Sequence, residues 1–220
     1  MSDYDKFVKL LAQTDGRDKI YKAIAGLVKV LGTVDTVPSH LSTYKKLGSS
    51  IGDGRSLMRM AKWAGDIPKM RSALVQCRAK GGIDLRKLLE FLRVLGNFLY
   101  VLGDNAAFLS RHRLILAGSH KQLQKHSKVA QFWGFLLATV LDLLALRAAL
   151  RRHREGDATT ARREARAAAT ALAKDAADTL VTMAAVGYLR GVWHPGAATT
   201  GSLTLLSGAI ATHLNWAKIK

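Results

Sequence analysis

The stretch RSLMRMAKWAGDI, residues 55–67, sorts its charged and apolar side chains into two separate registers. Arg55, Arg59, Lys62 and Asp66 are spaced by four, three and four, so at 100° per residue they share one narrow wedge. Leu57, Met60, Ala61, Ala64 and Ile67 fall on the other side, and Trp63 sits at the boundary. The spacing predicts a basic amphipathic helix over 55–67, ended or kinked by Pro68. Such a stripe serves a helix packed on a protein core and a helix lying in a lipid interface equally well, and periodicity leaves both open.

Helical periods extend in both directions from this stretch. Alternating strand patterns are absent, and the three prolines, at 38, 68 and 195, leave long uninterrupted segments between them. The chain therefore reads as all-α. A first helix is expected from about Asp3 to Gln13, with Phe7, Leu10 and Leu11 on one side and Lys6 and Lys9 opposite. Thr14-Asp15-Gly16 should break it, with Thr14 or Asp15 capping the next helix. That second helix carries Ile20, Ile24, Leu27, Val28 and Leu31 as an apolar stripe, and should end at Gly32 and the Pro38 region. A third segment from Thr43 is expected to be interrupted by Gly48, Gly52 and Gly54.

Beyond residue 80 the chain turns more apolar. Candidate membrane spans are expected near 88–109 and 198–217, with 132–150 interfacial. The last candidate is free of formal charge from Gly191 to Ala217, bracketed by Trp193 and Trp216 and closed by Lys218 and Lys220. Gly187 and Gly191 form a small-xxx-small pair that would let helices approach closely. Residues 147 to 166 hold seven arginines, within a basic, Ala/Arg-rich segment near 147–175. The expected organisation is an amphipathic helical region over 1–80 and a hydrophobic, membrane-embedded helical region over 81–220.

Composition points the same way. The 220 residues carry Lys+Arg 34 against Asp+Glu 16, a formal net charge of +18, and are 49% hydrophobic. Their mean hydropathy is +0.05. A chain both basic and apolar fits a partner that is both anionic and apolar, as a phospholipid bilayer is. Disorder is excluded by the apolar content. The opening Met-Ser-Asp-Tyr-Asp-Lys-Phe lacks a secretory pattern, and Lys218-Ile219-Lys220 is not a Ser-Lys-Leu type address, so no obvious cleavable or C-terminal tag is expected.

Catalytic patterns are missing. The sequence has no Gly-x-x-x-x-Gly-Lys-Ser/Thr loop, and its glycines at 48, 52 and 54 have the wrong spacing for one. The single Cys77 excludes a thiolate metal site, and the seven histidines show no metal-ligand spacing. No catalytic residue, cofactor or metal is expected, and the protein is read as not an enzyme. Asp142 and Arg147, five apart in an apolar setting, can pair within a membrane helix or mark a polar pathway; a helix lying at an interface accounts for them as well.

The segment Thr14-Asp15-Gly16-Arg17-Asp18-Lys19-Ile20-Tyr21-Lys22 resembles a signature of the peroxin-11 family of peroxisomal membrane proteins, particularly its kinetoplastid glycosomal members. Asp5-Lys6-Phe7-Val8-Lys9-Leu10-Leu11 is similar to that family's start. Ser56-Leu57-Met58-Arg59-Met60-Ala61-Lys62 is similar to its basic amphipathic segment. The likeness covers roughly residues 1–70 most distinctively. It implies a protein of the peroxisomal or glycosomal membrane, with termini facing the cytosol. Such a protein elongates and proliferates the organelle, associates with itself, and works ahead of the organelle fission machinery. On that reading Leu57, Met60, Ala61, Trp63, Ala64 and Ile67 enter the bilayer, and Arg55, Arg59, Lys62 and Lys69 meet anionic headgroups. Thr14, Asp15, Gly16, Arg17, Asp18 and Lys19 carry the signature, with no chemical role beyond a helix start. A metabolite pore, using Asp142, Arg147 and His213, is one alternative. A soluble helical nucleic-acid binder, suggested by a pI near 10.4, is another, though no nucleic-acid partner is expected because residues 191 to 217 suit no such surface.

Overall fold

The computed structural model describes residues 1–78, 84–154, 158–188 and 190–219. The expected change of character between 80 and 81, and the closing Lys220, lie outside the described residues. Those residues form eight α-helices and one 3₁₀ turn, and no strand occurs among them. The helices are α1 (Asp3–Ala12), α2 (Thr14–Val34), α3 (Pro38–Met58), α4 (Asp66–Arg78), α5 (Leu85–Arg111), α6 (His120–Arg154), α7 (Ala158–Val186) and α8 (Ala197–Trp216). They gather into two compact units, residues 1–60 with 183–220, and residues 61–182.

The first unit is built on α2. Ser2 caps α1 with its hydroxyl on the Asp5 N–H, while the Asp5 carboxylate accepts from the Ser2 N–H at 3.0 Å, a reciprocal capping box. The chain turns at Gln13, which is extended, so Thr14 and Asp15 sit inside the first turn of α2 rather than capping it. α2 runs through Gly32 to Val34. The Asp35 carboxylate then organises the turn, accepting from the Val37 N–H at 2.9 Å and the Tyr44 hydroxyl at 2.9 Å. α3 starts with Pro38 in its first turn, where a missing N–H costs nothing, and passes through Gly48, Gly52 and Gly54 without interruption. The expected break there is overridden by packing against α2, where Gly48 faces Val28.

α2 and α8 approach at backbone distance. A Cβ on Gly26 would stand 2.3 Å from the Leu205 nitrogen, and one on Gly208 would stand 2.5 Å from the Ala23 nitrogen. Each glycine costs helix stability of about 1 kcal/mol against alanine, and what it allows is this contact. Gly187 and Gly191, expected to serve such an approach, do not sit in a helix facing another. Gly187, at φ 84°, ends α7 in the left-handed conformation that glycine adopts without a Cβ penalty, and Gly191 lies in the turn that follows.

The second unit holds α4, α5, α6 and α7 as far as Thr182. α5 and α6 pack antiparallel. A Cβ on Gly96 would meet the Gly134 Cα at 3.0 Å, and one on Gly103 would meet the Ser127 Cβ at 3.0 Å. The Ser127 hydroxyl donates to the Tyr100 carbonyl at 2.9 Å. Tyr100, Val101, Phe108, Phe132 and Ala138 are buried. Among the described helices, α6 alone is long and apolar enough to cross a membrane. α5 and α8, which cover the two expected spans, fall short of that standard, whereas α6 contains the segment expected to be interfacial. Its 35 residues make a rod of about 52 Å, against a hydrocarbon core of ~30 Å. Part of its apolar surface has no protein cover: Trp133, Leu143 and Leu144 are exposed.

Candidate membrane-binding site

The signature residue Asp18 lies at the centre of the first unit's electrostatics. It is 1% exposed. Its Oδ1 accepts from Arg55 Nε at 3.0 Å and Arg59 Nη1 at 3.4 Å, and its Oδ2 from Lys19 Nζ at 3.1 Å. Arg55 and Arg59 are four residues apart at the end of α3, so both guanidinium groups reach the same carboxylate on α2. Burial pushes the Asp18 carboxyl up, but the charges of Arg55, Lys19 and Arg59 outweigh it and hold the group well below the usual carboxylate range. Beside it, Gly16 is buried under α1, where a Cβ would stand 2.1 Å from the Leu10 carbonyl oxygen. The signature thus joins α1, α2 and α3. Arg55 and Arg59, expected at lipid headgroups, are engaged by protein.

The expected continuous helix over 55–67 is not present. α3 stops at Met58, Arg59 leaves helical geometry with ψ 2°, and Ala61 takes the left-handed conformation at φ 59°. For an L-residue that conformation costs about 1–2 kcal/mol. It persists because the Ala61 N–H donates to the side-chain oxygen of buried Asn105 on α5 at 3.0 Å. A 3₁₀ turn follows over Lys62–Gly65. Pro68 does not end a helix; it sits in the first turn of α4, where it is tolerated. Asp66 is buried and fixed by Asn97 Nδ2 at 2.6 Å and Lys69 Nζ at 2.8 Å.

The residues expected to insert therefore do not share one helical face. Leu57 and Met60 belong to the first unit, and Ala61, Trp63, Ala64 and Ile67 to the second, together with Lys62 and Lys69. Leu57, Ala61, Ala64 and Ile67 are exposed, and Met60 is half-buried. Trp63 is half-buried with its ring edge-to-face on Phe98, 6.1 Å between centroids. Lys62 is half-buried and Lys69 is exposed.

A larger apolar face lies on α1 and α2. Tyr4, Phe7 and Val8 are exposed on α1, and Ile24, Leu27, Leu31 and Val34 on α2, the last at 72%. The four α2 residues are spaced three, four and three, which is one helical stripe. Packing splits the apolar side chains of α2: Val28 turns in against α3, while Ile24, Leu27 and Leu31 turn out. Arg17, also exposed, stands seven and fourteen residues before Ile24 and Leu31, in line with the row. The sequence displayed the stripe but not what covers it. Among the described residues no group of His, Cys, Asp or Glu could hold a metal ion.

Comparison with known proteins decides the family. The family model described as Peroxisomal biogenesis factor 11 (PEX11) matches residues 4–216. The chain belongs to this family. PEX11 is a family of peroxisome biogenesis factors and not of enzymes. The chain is also similar to a protein of Dictyostelium discoideum named Peroxisomal membrane protein 11 homolog, at 26% identity over 152 residues, covering 68% of this chain and 58% of that relative. It thus spans little more than half of the relative's length. No solved structure matches.

Proposed function

We propose that this PEX11 chain resides in the peroxisomal membrane, of the glycosomal type its signature resembles, and elongates that membrane ahead of fission. The observation that carries the mechanism is the exposed row Ile24, Leu27, Leu31 and Val34 on α2, with Phe7 and Val8 exposed on α1 as well. Burying one such side chain is worth about 1.5–3 kcal/mol, so a row of this length can hold a helix in the interface ~5–10 Å deep. Insertion into one leaflet expands that leaflet alone and favours positive curvature. Arg17, in line with the row, supplies a headgroup contact of about 1 kcal/mol, weakened by salt. Leu57, exposed in the same unit, adds an apolar anchor, and in the second unit Ile67 and Lys62 are the apolar and basic contacts. α6 embeds the chain, and self-association concentrates the wedges.

The test is tubulation of anionic vesicles by the full chain, scored by electron microscopy. Leu27→Asp with Leu31→Asp should abolish tubules while helical content stays unchanged. Normal tubulation by that variant would refute the α2 wedge.

A further inference from the structure

One side of the α5–α6 pair has no cover. Gly96 and Gly103 mark the line on α5 that meets α6, and Gly134 and Ser127 mark the matching line on α6. To one side of these lines the pair is held by its neighbours: Asn97 Nδ2 donates to Asp66 of α4 at 2.6 Å, and Thr139 Oγ1 meets Thr179 Oγ1 of α7 at 2.9 Å. On the other side of the α5 line, Leu85, Leu88, Leu92, Leu95, Leu99 and Leu102 fall within about 100° of it at 100° per residue. Trp133, Leu137, Val140 and Leu144 fall roughly 60–120° from the α6 line in the same sense. The helices are antiparallel, so an equal sense of rotation puts both rows on one side of the pair. Exposure agrees. Leu85, Leu92, Leu99 and Leu102 are exposed on α5, as are Trp133, Val140 and Leu144 on α6.

Three features narrow what covers this side. The α5 row is spaced three, four, three, four, three, and every member is leucine, while the α6 row is spaced four, three, four. That is the repeat by which helices of a bundle interlock. Lipid asks only for apolar side chains, and α5 falls short of a spanning helix. The area is also sufficient. Leu85 to Leu102 is about 26 Å of helix, and two packed helices are about 20 Å wide. The face is therefore ~500 Å² per copy and ~1,000 Å² for a facing pair, the size at which a specific interface begins. Finally, the face is self-complementary. None of the charged residues in 85–102 and 128–145, which are Arg86, Lys87, Glu90, Arg93, Lys128 and Asp142, falls in either row.

We propose that a second copy of this chain covers this side, the two α5–α6 pairs meeting face to face about a twofold axis as a four-helix bundle. The inference rests on the self-association in the proposed function and gives it a surface. Leu143 lies half a turn from the α6 line, directed away from α5, and is left to the bilayer.

The test is photocrosslinking of the full chain reconstituted in anionic vesicles. Benzoylphenylalanine in place of Leu99 should give a covalent dimer, and the same probe in place of Leu74, exposed on α4, should not. Leu92→Ala with Leu99→Ala and Leu102→Ala should weaken dimerisation at least about tenfold, read by analytical ultracentrifugation in detergent. All three are exposed, so circular dichroism should show unchanged helix. A lipid adduct without dimer at position 99, equal dimer from positions 99 and 74, or undiminished association of the alanine variant would overturn the face. Vesicle binding keeps the two claims apart: wild type that binds vesicles yet stays monomeric sinks this face alone, and wild type that does not bind them sinks the α2 wedge.

Discussion

Asp18 is one carboxylate that satisfies two arginines and a lysine at under 2% exposure. Removing one partner of a buried ion pair leaves the others uncompensated, so Asp18→Ala should destabilise the first unit by about 3 kcal/mol, read from denaturant midpoints. Its depressed pKa sets the pH dependence. The folded form binds its proton less readily than the unfolded form, whose ordinary value is 3.8. Its contribution is therefore complete above that pH and is lost as pH falls further below it. Acid titration of unfolding should show this loss in wild type and a smaller one in Asp18→Asn. Periodicity could not reveal the cluster, because Arg55 and Asp18 are 37 residues apart and a helical wheel shows that a face is charged without showing what meets it. The same limit hid the break at Ala61, whose N–H is captured by Asn105, 44 residues on.

At the scale of elements, existence and type were legible because long apolar periods need no tertiary partner to be seen. α1, α2 and α5 fall close to their expected limits. Boundaries failed where glycine or proline has two meanings. Gly48, Gly52 and Gly54 lie inside α3 because α2 supports that helix, and Pro68 begins a helix because the chain has already turned at Ala61. Gly26 has the opposite character: it is irreplaceable through contact. Gly26→Val would drive a side chain into the Leu205 backbone and should cost about 1–3 kcal/mol, seen as a lower thermal midpoint by circular dichroism. Within the 55–67 segment, Leu57→Asp places a charge at a 55% exposed position. It should leave folding intact and reduce vesicle tubulation, whereas equal tubulation would remove Leu57 from the membrane face.

For the whole molecule, the chain carries exposed apolar side chains on α1 and α2 in one unit and a long apolar α6 in the other. The proposed function gives both a bilayer to meet. Composition already carried this message, since +18 with 49% hydrophobic residues asks for a partner that is anionic outside and apolar within. The sequence points to 88–109 and 198–217 because Asp142 and Arg147 interrupt α6, whereas α6 alone among the described helices is long and apolar enough to cross a membrane. Leu143→Arg with Leu144→Arg should release the chain from membranes in carbonate, while the same pair of changes at Leu74 and Val75, also exposed but on α4, should not. The most direct test of the central claim is the depth of α2. A nitroxide attached at position 27 in a Cys77→Ser chain, bound to anionic vesicles, should be accessible to oxygen and shielded from a water-soluble relaxer at ~5–10 Å below the phosphates, with a label at exposed Lys45 on α3 remaining in water. Labels at 27 and 45 equally exposed to the aqueous relaxer would contradict the account.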